Sequence, residues 1–484
     1  FCPYFSTKEV EIADLEYIFH PNSVAVVGVP PDPSSFVTAA FLNPLIQFGY
    51  KGKLYPIRPR VSEVLGLKTY PNILDVPGPV DYVICAVRAA LTPQLMRECV
   101  TKRVKVVQLF TSGFSETGEE EGIRLEKEIA GIAYQREVRV IGPNCMGIYC
   151  PNSGISFDAD FPRESGNVGF LCQSGGNAVE GVQLGDVRGI RFSKVVSFGN
   201  ACDLNEADFM EYFAHDPQTK IVMGYIEGTK DGKRFVSALR EAAGAKPVIL
   251  VKGGVTEGGA RAAASHTGAL AGSNVIWNSL LCQLGIVQVC DLEELIDLTL
   301  LFQYLKPSRG RRIGIIGGSG GRSVLITDVC EREALTVVKL ASYENKRLRK
   351  IVPEEDDPGT SVRNPIDLAT SVWDPYILPK ILETVTSYDS IDFILFHINV
   401  AFGLYRGTRE VLDKWIDSLI ETKKTVAKPI AVVICHSGEP EAASYAFSVQ
   451  KRCLAASIPV FPSFNRASRA ISRFIRYYEM KGKQ

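Results

Sequence analysis

The chain has 484 residues, of which 46% are apolar, and its 54 basic side chains balance 54 acidic ones. This length predicts about three domains, because one hydrophobic core does not fill so long a chain. The balanced charge argues against a nucleic-acid or membrane partner, since either favours a basic excess. Twelve cysteines without any C-x-x-C pair indicate reduced thiols and a cytoplasmic protein. We expect neither a signal peptide nor a membrane span.

The first block consists of short β-branched runs, each followed by a turn and a longer amphipathic segment. The runs are "SVAVVGV" (23–29), "KLYPI", "DYVICAV", "KVVQLF" and "VRVIGP", and the block ends near the turn-rich "GPNCMGIYCPNSG". This alternation is typical of a parallel sheet with crossover helices, so the fold class is α/β. We predict that the first domain covers residues 1–152.

Two further blocks repeat this pattern. The second has "GNVGFLCQSGG", "KVVSFG", "KIVMGYIEG", "PVILVKGG" and "GIVQV" before the helical "DLEELIDLTLLFQYL", and we assign it residues 160–305. The third, residues 310–484, has "RIGIIGGSGG", "LTVVKL", "DFILFHINV", "PIAVVICH" and "IPVF" before a final helix, "RASRAISRFIRYYEM". Both blocks end their first strand in a glycine cluster, which predicts an internal repeat of one fold.

The two glycine clusters are candidate phosphate sites. Each follows an apolar strand and precedes a helical segment, so backbone N–H groups at the helix start can converge on an anion. The candidate residues are Ser174, Gly175, Gly176, Gly318, Ser319, Gly320 and Gly321. The alternative for each cluster is a plain tight turn between strand and helix. Because the clusters occur in repeated blocks, they could grip one phosphoryl group from both sides.

The second cluster also fits a hydrolase motif. Residues 317–321 satisfy the G-x-S-x-G nucleophile elbow with Ser319 as the nucleophile, and Asp367 and His436 follow in hydrolase order. The block is small for such a hydrolase, however, and His436 lies at a strand end rather than in a late loop. We therefore regard this motif as a match of low specificity.

His266 lies in "GGARAAASHTGALAG" (258–272), where small side chains surround a single imidazole. The segment 253–272 is rich in glycine and alanine and is predicted to be a mobile loop. Such a histidine is either an exposed spectator or a nucleophile toward phosphorus, which then needs a carboxylate to hold its ring tautomer. Glu227 ends the neighbouring strand and is the candidate, although a solvated strand-end carboxylate is equally compatible with its position.

Nucleotide-binding signatures are mostly missing. The chain has no P-loop of the form G-x-x-x-x-G-K-[ST], and only Gly28 stands where the glycines of a dinucleotide fingerprint would be. The loops after the strands of the first block can still hold a large ligand, because open α/β sheets bind ligands beyond the carboxyl ends of their strands.

Over nearly its full length the sequence resembles the α subunits of ADP-forming acyl-CoA synthetases, relatives of succinyl-CoA synthetase. The resemblance is carried by "GYKGKLYPIRP", "TSGFSETGEE", "VIGPNCMGI", "CQSGG", "SFGNACDLNEADFMEYFAHDPQTK", "YIEGTKDG", "SHTGALAG", "GGSGG" and "NPIDL". It implies a Rossmann-like CoA-binding domain followed by two flavodoxin-like succinyl-CoA-synthetase domains. In that family the histidine matching His266 is transiently phosphorylated.

The resemblance also implies a reversible reaction: acyl-CoA, ADP and phosphate give acid, CoA and ATP through acyl phosphate and phosphohistidine. Glu227 would orient His266, and both glycine clusters would hold the phosphoryl group. CoA would be bound by Gly28, Val29, Arg58, Arg88, Ser112, Gly113, Pro143, Asn144 and Cys145. An ATP-grasp β subunit would supply ADP or ATP with Mg²⁺, in an α2β2 heterotetramer, and no metal site is expected in this chain.

The first loop departs from the family pattern. It reads "VPPDPSSFVTAAF" where the family has glycines and a lysine, and Arg58 and Arg88 stand where the family has an asparagine and a proline or alanine. The two arginines could bind CoA phosphates, or the changes could weaken CoA binding. Two alternatives therefore remain, a CoA-binding or acyl-CoA-binding regulatory protein without turnover and a protein acyltransferase, although no acetyltransferase segment is visible.

Overall fold

The computed structural model describes residues 15–136, 138–267, 273–308, 310–318, 320–352, 362–367, 376–406 and 409–482. Contacts divide these residues into two compact units, one up to residue 295 and one from residue 296 onwards. No helix in the described ranges combines the length and the apolar character that crossing a lipid bilayer requires.

The first sheet is wholly parallel and belongs to the first unit. Its strands are β1 (Ser23–Val27), β2 (Lys53–Ile57), β5 (Tyr82–Cys85), β6 (Val106–Leu109) and β7 (Arg139–Ile141), and a small antiparallel pair, β3 (Glu63–Val64) and β4 (Leu67–Lys68), stands apart. The order in the sheet is β2-β1-β5-β6-β7. Helices α1 (Glu16–Phe19), α2 (Asn43–Gln47), α3 (Thr92–Lys102) and α4 (Glu120–Arg136) accompany it.

The second sheet also lies in the first unit and has six strands. They are β8 (Gly147–Tyr149), β9 (Val168–Cys172), β10 (Phe192–Ser197), β11 (Ile221–Ile226), β12 (Val248–Lys252) and β13 (Val287–Val289). The order is β13-β12-β11-β9-β10-β8, with only β8 antiparallel. The helices are α5 (Gly175–Val187), α6 (Glu206–His215), α7 (Gly232–Ala245), α8 (Glu257–Thr267) and α9 (Asn274–Gln283), and α10 (Leu292–Tyr304) begins in the first unit and continues in the second.

The third sheet forms the core of the second unit and is wholly parallel. Its strands β14 (Arg312–Ile316), β15 (Thr336–Val337), β16 (Phe393–Asn399), β17 (Ile430–Cys435) and β18 (Val460–Phe461) run in the order β15-β14-β16-β17-β18. Its helices are α11 (Gly320–Arg332), α12 (Ser342–Arg349), α13 (Ile377–Thr386), α14 (Val400–Arg406), α15 (Arg409–Thr425), α16 (Pro440–Ala455) and α17 (Phe464–Lys481).

All three parallel sheets share one strand order. If the parallel strands of each sheet are counted along the chain, the order is 2-1-3-4-5, that of the doubly wound flavodoxin-like fold. The α/β fold class is confirmed, and each of the fifteen predicted runs contains a strand. Crossover helices cover both faces of such sheets, so the strands are almost continuously buried. The domain limits 1–152, 160–305 and 310–484 stay a prediction.

One strand lies outside the predicted runs, and one expectation about local structure is wrong. The turn-rich stretch at the end of the first block contains β8, which joins the edge of the second sheet by antiparallel pairing to β10. Residues 257–267 of the predicted loop form helix α8. Alanine has the highest helix propensity, so the alanine-rich part of this segment continues as a helix despite the glycines in its first turn.

Candidate functional site

The start of helix α5 presents backbone N–H groups beside a loop of the first sheet. Ser174 is the N-cap, and its hydroxyl accepts a hydrogen bond from the amide of Asn177 (3.3 Å). A side chain at Gly175 would press on Met146 (3.2 Å), whereas one at Gly176 would meet open space. The first turn of the helix is therefore open at Gly176, where the helix dipole and the first N–H groups favour an anion.

Glu227 follows β11 directly and is 6% exposed. The side-chain oxygen of Gln173 accepts hydrogen bonds from the backbone N–H groups of Glu227 (2.7 Å) and Gly228 (3.1 Å), which fixes this strand end. The Tyr225 hydroxyl donates to the Glu227 carboxylate at 3.1 Å. Burial and the nearby Glu227 raise the pKa of Tyr225, so its hydroxyl keeps the proton that it donates.

Lys252 adds a buried cation at the same edge of the sheet. It ends β12, the strand beside β11, and its ammonium donates to the backbone oxygen of Glu227 at 2.6 Å and to that of Gly253. Its side chain also lies over the ring of Trp277, 5.4 Å from the centroid. Burial lowers the pKa of Lys252. The sequence interpretation missed this residue because a lysine at a strand end carries no motif.

His266 lies in the last turn of α8, the helix that follows β12, and its side chain is outside the described residues. The backbone between β12 and α8 passes close to Glu227, since a side chain at Gly253 would come within 3.2 Å of its Cγ. Helix α8 also lies along the turn Ser115–Thr117 of the first sheet. Glu227 and the segment that leads into α8 thus lie at the same edge of the sheet, and His266 is in the last turn of that helix.

The nine predicted CoA-binding residues all follow strands of the first sheet at its carboxyl edge. Gly28 has φ +94°, and a side chain there would come within 3.0 Å of the carbonyl of Ala86, so glycine lets the loops after β1 and β5 approach each other. Val29 is buried, and its carbonyl accepts a hydrogen bond from the Arg58 guanidinium (3.1 Å). Arg88 is exposed. Arg58 and Arg88 therefore provide positive charge at this edge.

The predicted CoA-binding residues in the loops after β6 and β7 differ in solvent exposure and in hydrogen bonding. Ser112 is exposed, but the amide of Gly113 donates to the Glu116 carboxylate at 2.6 Å. The Asn144 amide donates to the carbonyl of Thr111 (3.0 Å), which ties these two loops together. Pro143, in the loop after β7, is buried.

Cys145 is 2% exposed, and burial raises the pKa of its thiol to about 12. The thiol donates to the backbone oxygens of Leu109 and Ile141, each at 3.5 Å. A thiol without thiolate character is a poor nucleophile, so Cys145 serves as a structural residue of this loop.

The second glycine cluster lies in the other unit, after β14. Gly317 and Gly318 have φ +95° and +128°, Gly320 and Gly321 begin α11, and Ser319 is outside the described residues. A side chain at Gly317 would collide with the carbonyl of His397 at 2.7 Å. Both clusters therefore precede a helix, as the sequence predicts, and their role in phosphate binding stays a prediction.

The hydrolase alternative gains no support from the residues that can be described. His436 is exposed, and its Nδ1 accepts a hydrogen bond from the amide of Gly438 (3.2 Å). In a catalytic triad this nitrogen instead donates its proton to the carboxylate. Among the described ranges, no group of three or more histidine, cysteine, aspartate and glutamate side chains could hold a metal ion.

Two family models match the chain. One is described as a CoA binding domain and matches residues 22–151, and the other is described as a succinyl-CoA ligase like flavodoxin domain and matches residues 165–302. The matches fall on the first and second sheets. They agree with the CoA-binding and succinyl-CoA-synthetase assignments for these two blocks.

Curated relatives extend the comparison. The α subunit of acetate–CoA ligase (ADP-forming) II from Pyrococcus furiosus is 38% identical over 74% of this chain and 76% of its own length. The α subunit of isoenzyme I is 32% identical over 97% and 99%. By contrast, the chain spans about half (49%) of the acetate–CoA ligase of Methanocaldococcus jannaschii.

A solved structure has the same fold. Dinucleotide forming acetyl-coenzyme A synthetase 1 of Ca. Korarchaeum cryptofilum, in complex with phosphate and ADP, superposes with a TM-score of 0.81 and 31% identity. The superposition covers 97% of this chain and 99% of the other. The α-subunit relatives and this structure support a ligase rather than a regulatory protein without turnover.

Proposed function

We propose a reaction cycle for this chain on the premise that it belongs to the family of ADP-forming acyl-CoA ligases, as a protein of the α-subunit type. The observation that carries the cycle is the buried Glu227 beside the start of α5, at the edge from which the helix with His266 departs. This edge combines a helix start that favours an anion with a buried carboxylate, and the helix that begins there carries His266 in its last turn.

The first step cleaves the thioester. An oxygen of inorganic phosphate attacks the acyl carbonyl, the carbon–sulfur bond breaks, and CoA leaves as the thiol with the proton of the phosphate. The N–H groups at the start of α5 face the negative charge on the phosphate, and Lys252 adds a positive charge nearby. Prearranged dipoles of this kind stabilise the developing charge without reorganisation.

The second and third steps move the phosphoryl group. One ring nitrogen of His266 attacks the phosphorus of the acyl phosphate and the carboxylate leaves. The Glu227 carboxylate accepts the N–H of the other ring nitrogen and thereby keeps the attacking nitrogen unprotonated. A terminal oxygen of ADP then attacks the phosphorus, the N–P bond breaks, and ATP forms. Bonds of similar energy are exchanged at each step, so the cycle is reversible.

We assign CoA to the carboxyl edge of the first sheet. Ser112 and Asn144 are at least partly exposed in the loops that follow β6 and β7. In this proposal the guanidinium groups of Arg58 and Arg88 bind the CoA phosphates in place of backbone N–H groups. Arginine suits this task because its planar fork of donors matches phosphate oxygens.

The nucleotide belongs to a partner subunit in this proposal. The α-subunit names of two relatives imply a second chain. The match to the Methanocaldococcus jannaschii ligase covers only 49% of that protein, so its single chain contains further sequence beside the matched region. We propose that the partner is an ATP-grasp β subunit that binds ADP with Mg²⁺ in an α2β2 assembly. All eleven cysteines in the described ranges are free, in keeping with the proposed cytoplasmic location.

Labelling with ³²P tests the cycle. Incubation with acyl-CoA and [³²P]phosphate should give a protein label that is acid-labile and base-stable, as a phosphohistidine is. His266→Asn should abolish the label, and full labelling of that variant would refute the role of His266. A panel of acyl-CoA substrates, including the acetyl compound, identifies the acid. ATP formation from ADP should require the partner, so turnover by this chain alone would contradict the proposed division.

A further inference from the structure

One fully buried asparagine, in the segment after a strand of the second sheet, binds two glutamates from the turn and the helix that follow β6 of the first sheet. The Nδ2 of Asn200, in the segment after β10, donates to the Oε2 of Glu116 (2.6 Å) and the Oε2 of Glu126 (2.9 Å). Glu116 belongs to the turn after β6, and Glu126 to α4. We name Asn200, Glu116 and Glu126 the Asn200 clamp.

The clamp fixes the backbone of residues 113–115. The Glu116 carboxylate accepts the amides of Gly113 (2.6 Å) and Phe114 (3.2 Å). The Glu126 carboxylate accepts the Ser115 amide at 3.3 Å and its hydroxyl at 2.6 Å. Three consecutive N–H groups are thus satisfied by two carboxylates, and both carboxylates are held by the single amide of Asn200.

The asparagine is itself fastened to the first sheet. Its backbone amide donates to the carbonyl of Pro143 (2.9 Å), and the backbone amide of Cys202 donates to the carbonyl of Gly142 (2.9 Å). A bidentate ion pair between Arg139 and Asp203 (2.9 and 3.1 Å) continues this connection. The segment 200–203 is therefore hydrogen-bonded to β7 and to the loop after it, and these bonds hold Asn200 in place.

The turn that the clamp fixes lies against the helix that carries His266. Helix α8 runs along Ser115–Thr117, so a displacement of this turn removes a support of α8. The same turn continues into Ser112 and Gly113 of the proposed CoA site. Charge-assisted hydrogen bonds of this kind are short and directional, and they limit such displacements.

We propose that the Asn200 clamp positions α8 for the transfer of the phosphoryl group from acyl phosphate to His266. The proposal rests on the proposed function. Glu116 and Asn200 act as positioning residues through the turn and do not contact the reacting atoms. Exchange between His266 and ATP takes place on the partner subunit, so it does not depend on this turn.

The test compares two donors in the complex with the partner subunit. The variants are Glu116→Gln and Asn200→Ser, and Glu119→Gln is the matched control on an exposed glutamate of the same loop. We expect Glu116→Gln and Asn200→Ser to lower the initial rate of His266 labelling from acetyl-CoA and [³²P]phosphate on the order of 100-fold, because a misplacement of about 1 Å costs that much. Labelling from [γ-³²P]ATP should stay within about twofold of the wild-type rate.

Labelling from ATP also reports whether each variant is folded. An equal fall with both donors would show a merely structural role and overturn the clamp. Unchanged labelling from acetyl-CoA would overturn the clamp and leave the proposed function intact. If the wild-type complex took no label from either donor, the proposed function would fall and the clamp with it.

Discussion

Gln173 and Glu227 are joined across neighbouring strands, since the side-chain oxygen of Gln173 accepts the backbone N–H of Glu227 at 2.7 Å. Gln173 is 3% exposed, so water does not replace this bond. We expect Gln173→Leu to leave the Glu227 and Gly228 N–H groups unsatisfied and to lower the free energy of unfolding by about 1–3 kcal/mol. Urea unfolding measures the change.

The matched control is Gln183→Leu, on the exposed side of α5. It removes an amide of the same size where water is available, so we expect less than about 0.5 kcal/mol of change. If both variants unfolded at the same urea concentration, the bond from Gln173 would have no stabilising role.

The Glu227 carboxylate has a second predicted effect, on phosphorylation. Glu227→Gln keeps the size of the side chain but removes the charge that holds the His266 ring in the proposed cycle. We expect the rate of ³²P labelling from acyl-CoA to fall on the order of 10–100-fold, the loss seen when the hydrogen-bond partner that orients a metal-bound histidine is removed. Glu257→Gln, on an exposed glutamate at the start of α8, should label at the wild-type rate. Equal rates for both variants would contradict an orienting role.

The sequence predicts the fold well because buried parallel strands leave a clear signal. The five runs of each block are short, each includes β-branched residues, and each contains a strand. The short strand β8 has no such signal, since its pairing with β10 depends on contacts far apart in the chain. Helix α8 escaped prediction for the opposite reason, because its glycines suggested a loop while its alanines favour a helix.

The candidate site is predictable only where a residue belongs to a motif. Glu227 and the helix start at Ser174 could be inferred from their positions after strands. Lys252 and Asn200 could not, because their roles depend on a carbonyl and on carboxylates from other segments. Neither residue has a characteristic spacing to its partners, so only the folded chain reveals them.

His397 should make the stability of the second unit depend on pH. It is 6% exposed, and burial, with a smaller effect of Arg322, lowers its pKa from 6.5 to about 4. The unfolded chain binds the proton more tightly, so the stabilisation is complete above about pH 6.5 and is lost as the pH falls toward 4. Urea unfolding at pH 7, 6 and 5 should show a decrease of the order of 1–3 kcal/mol.

His397→Leu should remove most of this decrease, because leucine binds no proton. Ile398→Val, at the next position of β16, should lower stability by about 0.5–1.5 kcal/mol at every pH. If His397→Leu kept the wild-type decrease, as Ile398→Val should, the pH dependence of stability would come from other groups.

Cys145 should resist alkylation although it lies in the proposed CoA-binding loop. Its thiol is buried, with a pKa of about 12, whereas Cys282 and Cys290 are exposed. Thiolates are the reactive species, so iodoacetamide at pH 8 should modify Cys282 and Cys290 within minutes and leave Cys145 unmodified until the chain unfolds. Peptide mass spectrometry measures each site. Rapid modification of Cys145 in the folded protein would contradict its burial.

Arg88 should contribute to CoA affinity through charge. It is exposed at the carboxyl edge of the first sheet, three residues after the end of β5. Arg88→Gln should weaken CoA binding by about 1.5–3 kcal/mol, the range for hydrogen bonds to charged groups, and the loss should shrink as salt screens the phosphates. Isothermal titration at low and high salt measures both effects. Arg136→Gln, at the end of α4 and exposed, is the control with unchanged affinity. Equal affinities for both variants would place the CoA phosphates away from Arg88.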